Sequence, residues 1–524
     1  MTLLLSLIFP LTAHAQLRAH SSKQKQRPTE KEAGSSTSNA MPGAKTDDYK
    51  YIEMIHGKHE AELHDNGSVA LETRLAMIER AQKSIAIETY IFKADTGGCL
   101  ILSALVKKAR EMRGQGKKFE VRLLLDKMLF GPEIDEFFVH EMAKEGIDLR
   151  YYNYVPAAKV AKVNHRNHKK TFMIDADTPS GELILGGRNI GDEYFDLHAS
   201  DNFIDSDVHL KGPAVKKVHE IFDQYWAAPQ VIPAGERPDR PSLTPTQPGG
   251  GRQAAAAASH RRQRLKAWEK SVADVKACLA QSPEKTALRK TVAKKAAEAA
   301  QRSSKATVNS VLVASDHPDW ERTEETIGKE LYKNISSAKK SVKIENPYFI
   351  PLDPENEIFN QKINSADKVK VDVIVNSRAA TPEFGTTSIA LYRAKGIASM
   401  GGGTYLFNGK GASDRVPGVD YDDDVRWATH SKTMVIDDKT AYVGSANFDP
   451  RSIDRLNSEI GLIFPDNPGF ARQLTDSMDR RLDESVKIDA EGRDPSGKKV
   501  ETPRFVDIPK FIKVGAMKFF EDQL

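Results

Sequence analysis

Two short stretches of the chain carry residue types that could work on a phosphate. The first opens with His168-Lys169-Lys170, runs through Thr-Phe-Met-Ile to Asp175, and resumes after a turn as Gly186-Gly-Arg-Asn189. The second opens with His430-Ser-Lys432, runs through Met434-Val-Ile436 to Asp437, and resumes as Gly444-Ser445-Ala-Asn447. In both, His and Lys are two apart, so an extended backbone puts them on one face while the apolar run buries the strand in a sheet. Asp437, Asp438 and Lys439 read as a turn into a second strand, Ala441 to Val443. Folding each hairpin about its midpoint predicts Asn189 facing His168 and Asn447 facing His430. One H-x-K-x4-D match would be weak evidence in a chain this long, but two, each with a Gly-x-x-Asn sequel, are specific.

An imidazole, an ammonium and an amide at one sheet edge, present twice, are suited to phosphoryl transfer. The lysines and asparagines would hold the non-bridging phosphate oxygens, where charge must be stabilised. One imidazole would attack phosphorus and the other protonate the leaving alcohol. An alcohol or water would then accept the group by the reverse route. A nucleophilic imidazole must have one nitrogen free, which is usually arranged by a carboxylate on the other. Asp175 and Asp437 have the wrong strand parity to join His and Lys, so structural roles are expected for them.

The two stretches resemble the duplicated HKD signature of the phospholipase D superfamily. The wording GGRNIGDEYFD (186–196), FIDSDVHLKGPAV (203–215) and GSANFDPRSIDRLNSEIGL (444–462) is similar to bacterial cardiolipin synthases, those of the C type above all, and the likeness spans Asp48 to Arg480 less one insert. The resemblance implies a duplicated α/β fold of two mixed or mainly parallel sheets flanked by helices, with one active site on a pseudo-twofold interface. It implies His168 as the nucleophile forming a phosphohistidine and His430 as acid, then base; the symmetry of the halves leaves the opposite assignment open. It makes Glu459 a His-orienting carboxylate, with Asp205 as the match for the first half. Gly187 stands where many relatives have Ser, a hydroxyl that Ser445 keeps in the second copy. No metal and no cofactor are implied. The expected substrates are phospholipids, phosphatidylglycerol and also phosphatidylethanolamine, with peripheral membrane contact and no nucleic acid. The reading is phosphatidyl transfer giving cardiolipin; the alternatives are phospholipid hydrolysis, a phosphodiesterase nuclease, and a membrane-associated binding protein with relic motifs.

The elements that must position these residues are also duplicated. AQKSIAIETYIF (81–92) matches AKKSVKIENPYFI (338–350), and the strand Phe119–Asp126 matches Val369–Asn376. The helix Val69–Ala81 leads into the first copy. Helical stretches, Leu100–Arg113 and a shorter one before Ala366, precede the second strand of each pair, so each copy reads as a right-handed βαβ unit. Glu88 and Glu345 fall at matching strand ends, where α/β sheets bind ligands; contact with a polar headgroup and a salt bridge in the repeat interface are both open for them.

With 524 residues, Lys and Arg at 77 against Asp and Glu at 73, and a net charge of +4, the chain is too near neutral to argue for nucleic acid. Residues 1–15, an apolar run ending in Ala13-His-Ala15, read as a secretory signal lacking the usual basic start, hence an exported, periplasmic or inner-membrane-associated protein, the cytoplasmic membrane face being the alternative. Residues 16–47 read as a polar spacer, 48–230 and 319–490 as the two halves, 231–318 as a linker with one or two solvent-exposed helices, and 491–524 as a tail. The insert's alternative role is a basic arm on anionic lipid, and the tail Phe505–Leu524 could lie on a membrane or dock on the body. Trp226, Tyr348 and Phe349 are candidate lipid contacts. Cys99 and Cys278 read as inert thiols. His165, on the wrong face relative to His168, reads as a loop histidine, and the run Asp420–Asp424 as an exposed loop at the mouth of the site rather than a calcium loop. No apolar run is long enough to cross a bilayer.

Overall fold

The computed structural model describes residues 50–500 apart from 127–133, 135, 154–164, 236–238, 242–250, 302–303, 320–321, 323–325, 382–383, 410, 412–413 and 454–455. The expected signal segment, the spacer and the tail Phe505–Leu524 lie outside the described residues.

The first half begins with β1 (Ile52–His64) and α1 (Gly67–Arg80), the latter started by Asn66, whose side-chain oxygen accepts the N–H groups of Ser68 and Val69. Next come β2 (Ser84–Thr89), α2 (Thr96–Gly114), β3 (Glu120–Asp126), α3 (Glu136–Ala143) and β4 (Ile147–Tyr152). The first motif occupies β5 (Arg166–Asn167), β6 (Thr171–Ile174) and β7 (Glu182–Gly186). The half ends with β8 (Asp201–Ile204), β9 (Asp207–Lys211), α4 (Ala214–Trp226) and β10 (Val231–Pro233). The insert is two helices, α5 (Gly251–Leu279) and α6 (Pro283–Ala300).

The second half repeats the plan with β11 (Lys305–Ser315), α7 (Ile327–Ser337), β12 (Ser341–Glu345), α8 (Asp353–Ile363), β13 (Lys370–Asn376), α9 (Phe384–Ser399) and β14 (Gly403–Phe407). The second motif occupies β15 (Arg426–Thr429), β16 (Thr433–Ile436) and β17 (Thr440–Gly444). After it come α10 (Pro450–Ile453), β18 (Asn457–Ser458), β19 (Ile460–Phe464), α11 (Pro468–Asp483) and β20 (Ser485–Ile488).

Sixteen of these strands form one continuous sheet in the order β10-β4-β3-β2-β6-β7-β9-β1-β11-β19-β17-β16-β12-β13-β14-β20. Read outward from the β1–β11 pair, the two sides repeat each other strand for strand. Within this sheet parallel pairing is confined to β2-β3-β4 and β12-β13-β14, where helices supply the crossovers; its remaining joins are antiparallel. The halves are therefore not two sheets side by side but one, fused through antiparallel β1 and β11. Residues 305–315, read from sequence as part of the insert, are the central strand β11. The alternation of apolar residues along the strands sorts the core into layers. Helices α4 and α11 cover one face, with Phe222, Tyr225, Phe470 and Leu474 against Leu63, Val313 and Leu462. Helices α1 to α3 cover the other face in the first half, and α7 to α9 in the second.

The insert differs from expectation in its attachment. Cys99 of α2 and Cys278 of α5 form a disulfide with Cα atoms 5.0 Å apart, so neither is a free thiol. Val275 and Val292 are buried in the core under α1 and α2, and Arg289 pairs with Glu72 and Glu79 of α1. The two helices are docked, with only their outer faces in solvent. Trp226 and Phe349, candidates for lipid contact, are core residues.

Candidate active site

The HKD aspartates show how the fold fixes the motif strands. Asp175, in the left-handed region at φ 48°, ends β6, and its carboxylate accepts the backbone N–H groups of Gln82, Lys83 and Ser84. Asp437, at φ 52°, does the same for Lys339, Lys340 and Ser341. Each clamps its motif strand to the helix-to-strand turn of its own half, at a φ that aspartate tolerates better than most residues. In both, the bonded groups are backbone amides at the clamped end of the strand.

The catalytic candidates stand at the other end of those strands, where the chain leaves the ladder. Two short parallel pairings cross between the halves: β5 pairs with β18, Asn167 beside Ser458, and β15 pairs with β8, Thr429 beside Ile204. One residue further along each pairing, His168 meets Glu459 and His430 meets Asp205. His168 Nδ1 lies 2.8 Å and 3.0 Å from the two oxygens of Glu459, and His430 Nδ1 lies 2.6 Å from Asp205 Oδ2. Each histidine is thus oriented by a carboxylate of the opposite half. Asp205, the first-half match, therefore serves the second-half histidine. With Nδ1 of both rings engaged, Nε2 is the nitrogen left for a substrate.

The carboxylates are held in turn. Glu459 accepts from Ser445 Oγ at 2.5 Å and Ser452 Oγ at 2.8 Å, so Ser445 serves the carboxylate rather than the ligand. At the matching position of the first half, a Cβ on Gly187 would fall 2.5 Å from Asp205 Oδ1. Glycine there is what lets Asp205 reach His430, which accounts for the departure from Gly-Ser.

Lys432 Nζ donates to His430 O at 2.6 Å, and Lys170 Nζ donates to His168 O, so both ammonium groups lie under the rings they follow. All four residues are buried. Burial, then Lys170, Lys432 and Arg451, hold the His168 imidazole well below its ordinary pKa. Burial and Lys432, opposed by Asp205, bring His430 down to about 3. Burial lowers Lys170 to about 7 and raises Glu459 to about 7. For Asp205 burial acts upward, but His430, Lys432 and Arg188 outweigh it and leave the carboxyl below its ordinary value. The site holds two neutral imidazoles above two lysines, a setting that favours an anion between them.

His168, His430 and Asn189 line one cleft of about 400 Å³, together with Tyr90, Tyr194, Phe203 and Tyr348. Asn189 donates to Tyr194 OH at 2.8 Å and accepts from Ile91 N. Asn447 is buried beneath the second motif, its Oδ1 without a hydrogen-bond partner among the described residues. The ladders end at Thr171–Leu185 and Thr433–Val443, before either asparagine, so neither is the cross-strand partner of its histidine.

Glu88 and Glu345 do not reach the cleft. Glu88 accepts from Asn167 Nδ2 at 2.7 Å, and Glu345 accepts from Thr429 Oγ1 with Arg481 at 3.6 Å. Both are buried counterions beneath β5 and β15, and the headgroup reading is withdrawn. Of the aromatic wall, Tyr348 was a sequence candidate for lipid contact, whereas Tyr90, Tyr194 and Phe203 went unread. Tyr90 packs edge-on to His168, with ring centroids 5.0 Å apart, and Tyr194 to His430 at 5.4 Å. Tyr194 lies inside the GGRNIGDEYFD wording and Tyr90 ends the duplicated AQKSIAIETY stretch, so their nearness to the motifs was the available signal. Asp422, in the acidic run, accepts from Ser200 Oγ beside the cleft residues His198 and Asp201.

Comparison with known proteins agrees with this geometry. The family model described as cardiolipin synthase, PLD-like domain, matches twice, over residues 75–226 and 331–482. Cardiolipin synthase C of Escherichia coli is 26% identical over 441 residues, covering 79% of this chain and 82% of its own. An uncharacterised protein of Helicobacter pylori is 28% identical over 449 residues, covering 79% and 78%. Among solved structures, phosphatidylserine synthase of Haemophilus influenzae matches at a TM-score of 0.57 and 13% identity, covering 88% of this chain and 95% of that one, a likeness of fold. The chain belongs to the phospholipase D-like family and is an enzyme.

Proposed function

We propose that the protein is a phosphatidyltransferase that makes cardiolipin from phosphatidylglycerol or from phosphatidylglycerol and phosphatidylethanolamine. The observation that carries this is the crossed pairing of two histidines with two carboxylates over one cleft, in a chain similar to cardiolipin synthases along most of its length.

The phosphodiester anion favours uptake of a solvent proton on His430 Nε2 as it binds; His168 Nε2 then attacks phosphorus, the bond to the departing alcohol oxygen breaks, and His430 delivers that proton to the oxygen. The phosphatidyl group then sits on His168. In the second step His430 takes the proton of the incoming lipid hydroxyl, its oxygen attacks phosphorus, and the P–N bond breaks. Lys170 and Lys432 stabilise charge on the non-bridging oxygens throughout. The two histidines are not electrostatically equivalent. Asp205 stays ionised and supports an imidazolium on His430, whereas Glu459 is the weaker anion, which favours His430 as the proton carrier and His168 as the nucleophile.

Membrane contact is supported by the insert. α5 carries seven Lys and Arg against two acidic residues and α6 five against two, a larger excess than that of the whole chain. Arg262, Arg264, Lys266 and Lys290 are exposed. Export is supported by the disulfide, since such bonds persist in oxidising compartments.

Purified protein incubated with phosphatidylglycerol, with and without phosphatidylethanolamine, should yield cardiolipin by mass spectrometry. Phosphatidic acid as the sole product would replace the transferase reading with hydrolysis.

A further inference from the structure

On the sheet face covered by α1, β1 and β9 bring together Glu62, His64 and His209, none of which lines the catalytic cleft. Glu62 stands directly opposite His209 in the antiparallel ladder, and His64 lies diagonally across on the same face. One potential ligand atom from each lies within 4.8 Å of the others. The imidazole centroids of His64 and His209 are 5.5 Å apart.

Two features distinguish this group from a chance cluster. His64 is buried, and its Nδ1 has no hydrogen-bond partner among the described residues. A buried ring nitrogen left unsatisfied is costly unless something occupies the space before it. His209 uses Nε2 on Glu182 Oε2 at 2.7 Å, which fixes its ring and frees its other nitrogen. A histidine backed by a carboxylate in this way is the arrangement in which imidazole binds metals.

Lys305, opposite Glu62 in the β1–β11 ladder, pairs with Glu60 and also acts on Glu62. Arg74 and Arg188 reach Asp207, and Arg80 and Lys211 reach Glu182.

We propose that Glu62, His64 and His209 form a site for a borderline divalent transition metal of the Zn2+ type. Glu182 positions His209, and a water completes the coordination. Ligand atoms around tetrahedral zinc stand about 3.4 Å apart, so the three side chains close by rotamer adjustment rather than backbone movement. The ion ties β1, the strand by which the first half joins the second, to β9. None of its three ligands lines the catalytic cleft, so its expected effect is on rigidity.

The test is titration of the untagged, chelator-stripped protein with Zn2+ by calorimetry, alongside Co2+ absorption spectroscopy and thermal unfolding. One equivalent should bind, with a Co2+ spectrum typical of four ligands and a rise in Tm. His64→Ala and His209→Gln should each abolish binding and the Tm rise, while Glu182→Gln weakens binding about 10- to 100-fold with one equivalent still bound. A variant too unstable to purify is replaced by Glu62→Gln, which removes a ligand nearer the surface. The proposal is overturned by a wild type that binds no Zn2+ stoichiometrically, or by unchanged binding in the folded ligand variants.

Discussion

At the scale of the residue, the site's logic is a division of labour among groups that look alike in sequence. Two His-x-Lys pairs sit in similar burial, yet one histidine leans on a carboxylate that stays ionised and the other on one raised to about 7. If His168 is the nucleophile, His168→Gln should lower turnover by at least about 10³-fold and leave no covalent adduct. His430→Gln should be similarly slow on lipid, yet still trap a phosphoryl group on His168 with a substrate whose leaving alcohol needs no proton, read by rapid quench and mass spectrometry. An adduct on His430 in His168→Gln would reverse the assignment. The pH profile follows from the same groups. Glu459 must be ionised to hold the His168 tautomer, and is lost as pH falls through about 7; Lys170 must be charged, and is lost as pH rises through about 7. The free-enzyme parameter kcat/KM should therefore be a narrow bell centred near 7. Lys170→Arg, charged at every working pH, should lose the alkaline limb while keeping the acid one.

At the scale of the element, the motif strand is a lever clamped at one end and chemically active at the other. Replacing the clamp with Asp175→Asn or Asp437→Asn weakens charge-assisted bonds to three backbone amides and should cost about 1–3 kcal/mol in denaturant unfolding. Activity per folded molecule should stay within a few-fold of wild type; a loss comparable to that of the histidine variants would mean these aspartates act in the chemistry. The opposite end behaves differently. Gly187→Ala, with its Cβ against Asp205, should displace that carboxylate and lower kcat more than stability. The βαβ units, both hairpins and the helices at Gly67–Arg80 and Pro468–Asp483 were legible because local apolar periodicity specifies them. The strand Lys305–Ser315 was missed. It follows a long Ala- and Lys-rich helix and carries only a partial alternation, so its place in the sheet comes from pairing with β1 and β19.

At the scale of the whole molecule, the fused sheet and the docked insert make a catalytic body with a basic side. Reversing charge at Arg262, Arg264 and Lys266 to Glu should reduce binding to phosphatidylglycerol vesicles several-fold at low salt, with the difference shrinking as ionic strength rises. Binding indifferent to both charge and salt would remove the insert from the membrane account. Nothing local announced that Cys99 and Cys278 would meet, for they are 179 residues apart and neither lies in a recognisable pairing pattern.

The sequence by itself determined the chemistry: two histidines, two lysines and their strands are specified by residue types a few positions apart, and local spacing survives any arrangement of the halves. Only the tertiary structure decided who serves whom. Glu459 reaches His168 across 291 positions and Asp205 reaches His430 across 225, through parallel pairings between segments of different halves. Such pairings depend on the fusion of β1 to β11 and on strand direction, neither of which is encoded in any one stretch. The same holds for Glu88 and Glu345, whose strand-end positions suggested a ligand until the crossing strands β5 and β15 covered them, and for His64 and His209, which become neighbours only when β9 is laid beside β1.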